Sequence, residues 1–158
     1  MQEESVAADP LALEQQLCFG IVTAARSVVA FYRPFLEPMG LTHPQYLVML
    51  ALWQHGLLSV RELSDLLMLE PATVSPLVKR LEAAGYVTRE RHAGDARLLQ
   101  VRLTDAGRAL RAQAEQVPLS IMQELQLDVA ELASVRDSLT RLVAAMNRRS
   151  ASLPGSAE

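Results

Sequence analysis

Apolar and polar positions alternate with a helical period over most of the chain. Leu17/Cys18, Ile21/Val22, Ala25, Val28/Val29 and Tyr32 recur every three to four residues and so share one stripe of a long helix. Asp9-Pro10 has the form of an N-cap and first helical residue for it, and Pro34 should end or kink it. After a turn at Pro38-Met39-Gly40, Thr42 and Gln45 form a capping-box pattern opening THPQYLVMLALWQHG, a helix apolar enough to lie at the centre of the core. Ser59 and Glu62 repeat that signature at the start of SVRELSDLLML. Glu70-Pro71 then interrupts the chain before ATVSPLVKRLEAAG, which predicts two short helices joined by a tight turn. With the second helix capped near Glu70 or Thr73, Pro76 falls in or just after its first turn, and Gly85 supplies a C-terminal cap.

The period then changes. In YVTRERHAGDARLLQVRLT two strand-like stretches flank a turn at His92-Ala93-Gly94-Asp95, the pattern of a β-hairpin. Thr104 caps a further helix that Pro118 breaks or kinks. In LDVAELASVRDSLTRLVAAMNRRS a last amphipathic helix carries Leu132, Val135, Leu139, Leu142, Val143 and Met146 on its apolar stripe. The expected fold is mainly α with a small β-hairpin wing, in a single domain. The terminal helices have more apolar face than a small central domain can cover, and exchange of helices between two chains would cover it. Residues 10–42 and 104–148 are therefore expected to form a homodimer, residues 43–103 the central region, and 149–158 a flexible tail.

Composition narrows the setting. A chain of 158 residues is the size of one domain with a real core. Its apolar runs are interrupted long before the roughly 20 residues that span a bilayer, and MQEESVAADP lacks the features of a secretory signal. The single cysteine, Cys18, allows no internal disulfide and suits a reducing cytoplasm. His43, His55 and His92 have no ligand-like spacing with Cys18, so neither metal nor cofactor is expected.

Charge distribution says more than its total. The formal charge is −3, yet between Lys79 and Arg111 eight basic residues face four acidic ones, giving +4 there and −7 elsewhere. A local concentration of this kind supplies a field that attracts phosphates. It coincides with a short helix, a tight turn, a second helix with hydroxyls near its start and cations further on, and a basic hairpin. That is the layout of a winged helix-turn-helix binding double-stranded DNA at a pseudo-palindromic operator. Thr73 and Ser75 are expected to reach bases or phosphates, and Lys79 and Arg80 to neutralise backbone charge. Arg91 and Arg97 near the hairpin tip would enter the minor groove, with Asp95 holding the Arg97 guanidinium.

The segment LSVRELSDLLMLEPATVSPLVKRLEAAGYVTRERHAGDARLLQVRLTDAG resembles the MarR group of dimeric winged-helix regulators, a likeness extending over residues 12 to 148. Within the group, LCFGIVTAARSVVAFYRPFLEPMGLTHPQYLVMLALW is similar to the organic-hydroperoxide-sensing OhrR type. The resemblance implies that Cys18, in the LCF motif, is a peroxide sensor assisted by two tyrosines. The first corresponds to Tyr32. The second position is occupied by His43, because the usual TYPQY is THPQY here, and Tyr46 is the nearest tyrosine in the motif.

A thiol attacks a peroxide as thiolate, so Cys18 needs a neighbour that stabilises negative charge. Cys18 lies about two turns inside its helix, beyond the terminal turn where the helix dipole acts most strongly, and hydroxyl or imidazole donors must serve. Tyr32, fourteen residues along the same helix, is roughly 21 Å away and can meet Cys18 only from a second, antiparallel chain. His43 could donate in place of a phenol, stabilise the thiolate if protonated, or be a surface residue. Phe19, Val22, Val29, Phe31 and Phe35 would favour apolar hydroperoxides. Without a second cysteine, an external low-molecular-weight thiol must resolve the oxidised sulfur. Two other functions are consistent with the sequence: a repressor that binds a small aromatic ligand reversibly, with Cys18 as packing, and a one-cysteine thiol peroxidase.

Overall fold

The structure, a computed structural model, describes residues 9–92 and 94–152, and for 92, 95–98 and 149–152 the backbone alone. The chain divides into two compact units, one ending at Glu115 and one beginning at Gln116.

In the first unit, α1 (Leu17–Leu36) is followed by a 3-10 turn at Glu37–Met39 and by α2 (His43–His55). A short strand β1 (Leu57–Ser59) leads into α3 (Val60–Leu67) and α4 (Pro71–Ala83). The hairpin β2 (Val87–His92) and β3 (Asp95–Leu103) precedes two short helices, α5 (Asp105–Ala109) and α6 (Arg111–Ala114). All three strands form one antiparallel sheet in the order β1-β3-β2, with Leu58 opposite Val101 and Arg89 opposite Val101 from the other side. A bulge at Arg91/His92 interrupts the register before the turn.

Local signals explain most of these boundaries. Both capping boxes form: the Thr42 backbone N–H donates to Gln45 Oε1 at 2.8 Å, and that of Ser59 to Glu62 Oε2 at 2.7 Å. Each such cap contributes about 1 kcal/mol. Glu70 is the N-cap of α4 with Pro71 first in the helix, and Pro76 lies in the second turn, where it removes one interior N–H. Gly85 ends α4 at φ +81°, with the Tyr86 N–H on the Leu81 carbonyl and the Gly85 N–H on that of Glu82, a Schellman closure. Helix α2 is central, burying Gln45, Tyr46, Val48, Met49, Ala51 and Leu52. From α4, Val74, Leu77, Val78 and Leu81 face the same core, each contributing about 1.5–3 kcal/mol by leaving water.

The sequence-based expectation fails at the start of α1. The helix begins at Leu17, not Pro10. Asp9 caps only a local turn, its carboxylate accepting the Leu11 N–H at 2.9 Å, and residues 13–15 make a single 3-10 turn. Gln16 is extended and its side-chain amide donates to the Pro10 and Ala12 carbonyls, satisfying acceptors that a continuous helix would have used. At the other end α1 continues through Pro34 to Leu36. The only buried residue of α1 is Leu36, and Leu17 is 64% and Val22 46% exposed.

In the second unit, α7 (Gln116–Leu125) carries Pro118 in its first turn, so the chain breaks at Glu115, just ahead of the proline. Helix α8 (Val129–Ser152) opens on a reciprocal cap in which Asp128 accepts the Glu131 N–H and Glu131 the Asp128 N–H, both at 2.8 Å. Val135, Leu139 and Met146 on its apolar stripe are exposed. It extends into the segment expected as tail, and residues 153–158 lie outside the described ones.

Candidate DNA-binding and redox sites

Helix α4 sorts its residues by period. With Val74, Leu77, Val78 and Leu81 buried, the opposite face presents Thr73, Ser75, Lys79 and Arg80, all exposed. The hydroxyls thus lie in the first turns and the cations in the later ones, with no carboxylate on that face between Pro71 and Leu81. Arg91 is exposed on β2. Asp95 and Arg97 lie on β3, and their side chains, with the contact expected between them, are outside the described residues.

The basic segment is not uniformly available to an anion. Arg108 pairs with Asp105 at 2.5 Å and Arg111 with Glu115 at 3.2 Å, both exposed pairs. Arg89 reaches back across the sheet edge to Glu82 of α4 at 2.5 Å, and it holds that carboxyl below the usual range. Among the described residues, Lys79, Arg80, Arg91 and Arg102 have no acidic partner.

Cys18 is exposed, and the revised start of α1 changes its setting. It occupies the second position of the helix, and no side chain caps that end. The unsatisfied first-turn N–H groups make this the positive end of the helix dipole, which favours negative charge on side chains there. Phe19 beside it is 40% exposed.

Tyr32, His43 and Tyr46 come together within one chain. The Tyr32 ring meets His43 edge-on at 5.4 Å between centroids and Tyr46 at 6.3 Å. Tyr46 is buried and continues onto Trp53 at 6.4 Å, whose indole N–H donates to the Gly107 carbonyl at 2.9 Å. Burial raises the pKa of both phenols, with the neighbouring Tyr32 adding to the rise at Tyr46. Burial also lowers the pKa of His43. At neutral pH the group therefore consists of two protonated phenols and a neutral imidazole, all able to donate a hydrogen bond. Cys18 does not join it in its own chain: α1 is continuous between Cys18 and Tyr32, a rise of roughly 21 Å.

Two contacts join residues that lie apart in the sequence. The i, i+7 spacing of Tyr46 and Trp53 was a usable sign that both share a face of α2. Nothing local marked the Glu82–Arg89 pair, which exists only once β2 folds back along α4.

Comparison with known proteins agrees with the fold. The family model described as "MarR family" matches residues 41–99. The chain is 42% identical to the HTH-type transcriptional regulator TtmR of Methylorubrum extorquens (strain PA1), covering 83% of this chain and 71% of that protein. It is 32% identical to the organic hydroperoxide resistance transcriptional regulator of Bacillus subtilis (strain 168), covering 89% and 96%. Among solved structures, AbfR of Staphylococcus epidermidis superposes with a TM-score of 0.73 at 33% identity, covering 86% of this chain and 94% of that one. AbfR has also been solved in reduced and overoxidized forms bound to DNA, and in a disulfide form. With a relative this similar over nearly its whole length, a matching family model and a shared fold, the chain belongs to the MarR family.

Proposed function

We propose that this MarR-family chain is a dimeric DNA-binding transcriptional repressor that releases its operator when an organic hydroperoxide oxidises Cys18. The observation that carries the proposal is the placement of Cys18: exposed, in the uncapped first turn of α1, on an apolar face that its own chain leaves bare. A second copy packed antiparallel along α1 covers that face. The same arrangement brings the Tyr32/His43/Tyr46 group of one chain to Cys18 of the other, where the Tyr32 phenol and the His43 imidazole hydrogen-bond the sulfur and the buried Tyr46 backs them. Similarity to a hydroperoxide-resistance regulator, and to a protein solved in several redox forms, supports the choice of oxidant and of redox control.

The chemistry is that of an accessible cysteine meeting a peroxide. Sulfur attacks the terminal peroxide oxygen, the O–O bond breaks, and the alkoxide leaves and takes a proton, giving Cys18 sulfenic acid and an alcohol. A low-molecular-weight thiol condenses with the sulfenic acid, forming a mixed disulfide and water. The enlarged sulfur no longer fits its donors, α1 shifts, and the two DNA-reading lobes change spacing. Phe19, Val22 and Val29 line the bare face and favour apolar over hydrophilic peroxides. Addition of cumene hydroperoxide to the protein–DNA complex is expected to release the DNA; a complex that survives full oxidation of the thiol contradicts the proposal.

On the DNA side, Thr73 and Ser75 enter the major groove, Lys79 and Arg80 meet phosphates, and Arg91 and Arg97 follow the hairpin to the minor groove. Lys79→Ala and Arg80→Ala are each expected to weaken binding similarly across sequences. Each should also lower the slope of log K against log salt by about 1, measured by fluorescence anisotropy between low and moderate salt. An unchanged slope would remove that residue from the phosphate contacts.

A further inference from the structure

Glu82 and Arg89 differ from the other ion pairs of the basic segment. Arg108–Asp105 and Arg111–Glu115 each join residues three or four apart, at exposed positions, as helical neighbours do. Glu82 instead lies in the last turns of α4 and Arg89 on β2, with the Gly85 turn between them. One carboxylate receives three N–H groups of one residue: Nε at 2.7 Å and Nη2 at 2.5 Å on Oε2, and the backbone N–H at 3.2 Å on Oε1. Both side chains are partly covered, at 30% and 34% exposure, against more than half exposed for the other two pairs.

We propose that Glu82 and Arg89 are positioning residues that set the angle at which the β2–β3 wing leaves the recognition helix α4, and hence whether both can grip one DNA duplex at once. The inference rests on α4 and the wing being the DNA-contacting elements. The Schellman closure at Gly85 fixes where the chain turns and pairing with β3 holds β2 in the sheet, but neither sets the tilt of the strand against α4. A forked contact to the side chain together with one to the backbone four residues past Gly85 removes that freedom. Arg89 is thereby occupied and is not a phosphate contact, although its charge and position in the sequence suggest one. Lys79 and Arg80 lie within one turn of Glu82, so a brace at Glu82 acts where the helix cations meet the backbone of DNA.

The test uses the full-length protein and two duplexes: one recovered by the wild-type protein from a random-sequence library, and a scrambled duplex of equal length. Failure to recover any preferred sequence would tell against the DNA-contacting assignment itself and is seen before the variants are made. Glu82→Gln and Arg89→Gln are each expected to lose roughly tenfold in affinity for the selected duplex, the scale of coupling within one ion-pair network. The double variant should be no weaker than either single one, and Arg89→Gln should leave the salt slope unchanged. On the scrambled duplex Glu82→Gln should bind as tightly as wild type or tighter, since a negative charge has gone. If Arg89 is instead a phosphate contact, Arg89→Gln lowers the slope by about 1 and Glu82→Gln binds both duplexes more tightly. Either result overturns the proposal, as does additivity in the double variant. Should Arg89→Gln melt below the assay temperature, Arg89→Lys keeps the charge but lacks the fork. It should still lose selected-duplex affinity at an unchanged slope, and wild-type affinity would overturn the brace.

Discussion

Cys18→Ser is expected to bind DNA as the wild-type protein does and to lose its response to cumene hydroperoxide altogether. Serine keeps the size and position of the side chain at the exposed second residue of α1, so neither the fold nor the α4 surface is disturbed. A hydroxyl so placed remains protonated at neutral pH and does not displace an alkoxide from a peroxide, whereas a thiolate does. Electrophoretic shifts with increasing hydroperoxide measure both properties in one experiment. Release of the serine variant at the wild-type concentration would assign sensing elsewhere; loss of DNA binding without oxidant would make Cys18 a packing residue.

The second large effect concerns Gly107. The residue lies in the first turn of α5, where its N–H donates to Thr104 Oγ1 at 3.0 Å and its carbonyl accepts the Trp53 indole N–H. The Tyr86 carbonyl accepts the Thr104 N–H. A Cβ at this position would stand 2.0 Å from the Tyr86 oxygen and 3.3 Å from a Leu103 methyl group. Backbone, not a pliable side chain, meets the added methyl. Gly107→Ala should therefore cost about 3 kcal/mol or more by forcing α5 off the base of the wing. For a chain of this size that corresponds to a fall in Tm of roughly 6–12 °C, readable by circular dichroism. A melting curve superimposable on wild type would show that α5 moves aside freely.

How much of this was legible in the sequence depended on how far apart the cooperating residues lie. Both capping boxes, at Thr42/Gln45 and Ser59/Glu62, involve residues three apart and formed as read. The exposed face of α4 followed from the spacing of Val74, Leu77, Val78 and Leu81, and the hairpin from its turn. Strand β1 was not visible, because three residues carry no periodic signal and Leu57–Ser59 is a strand only through its pairing with β3. The start of α1 is not legible, because Asp9-Pro10 fits both a helix cap and a plain turn, and the extended Gln16, which decides between them, has no local signature. That shift of one short segment moved Cys18 from the interior of a helix to its positive end.

The aromatic group shows the same limit from the other side. Tyr32, His43 and Tyr46 could be named from the sequence, but not their mutual contact, nor the burial that keeps His43 neutral. A neutral imidazole beside two protonated phenols donates hydrogen bonds as a tyrosine in its place would.

Cys18 as the switch is tested most directly by intact-protein mass spectrometry during titration with cumene hydroperoxide, with and without a small thiol, alongside DNA-binding shifts on the same samples. The expected result is a gain of one oxygen at near-stoichiometric peroxide, converted by the thiol into a mixed disulfide, with DNA released in step with modification of Cys18. A thiol that stays reduced through that range, or that oxidises fully while the DNA remains bound, would contradict a redox switch at Cys18 and direct attention to a reversibly bound ligand.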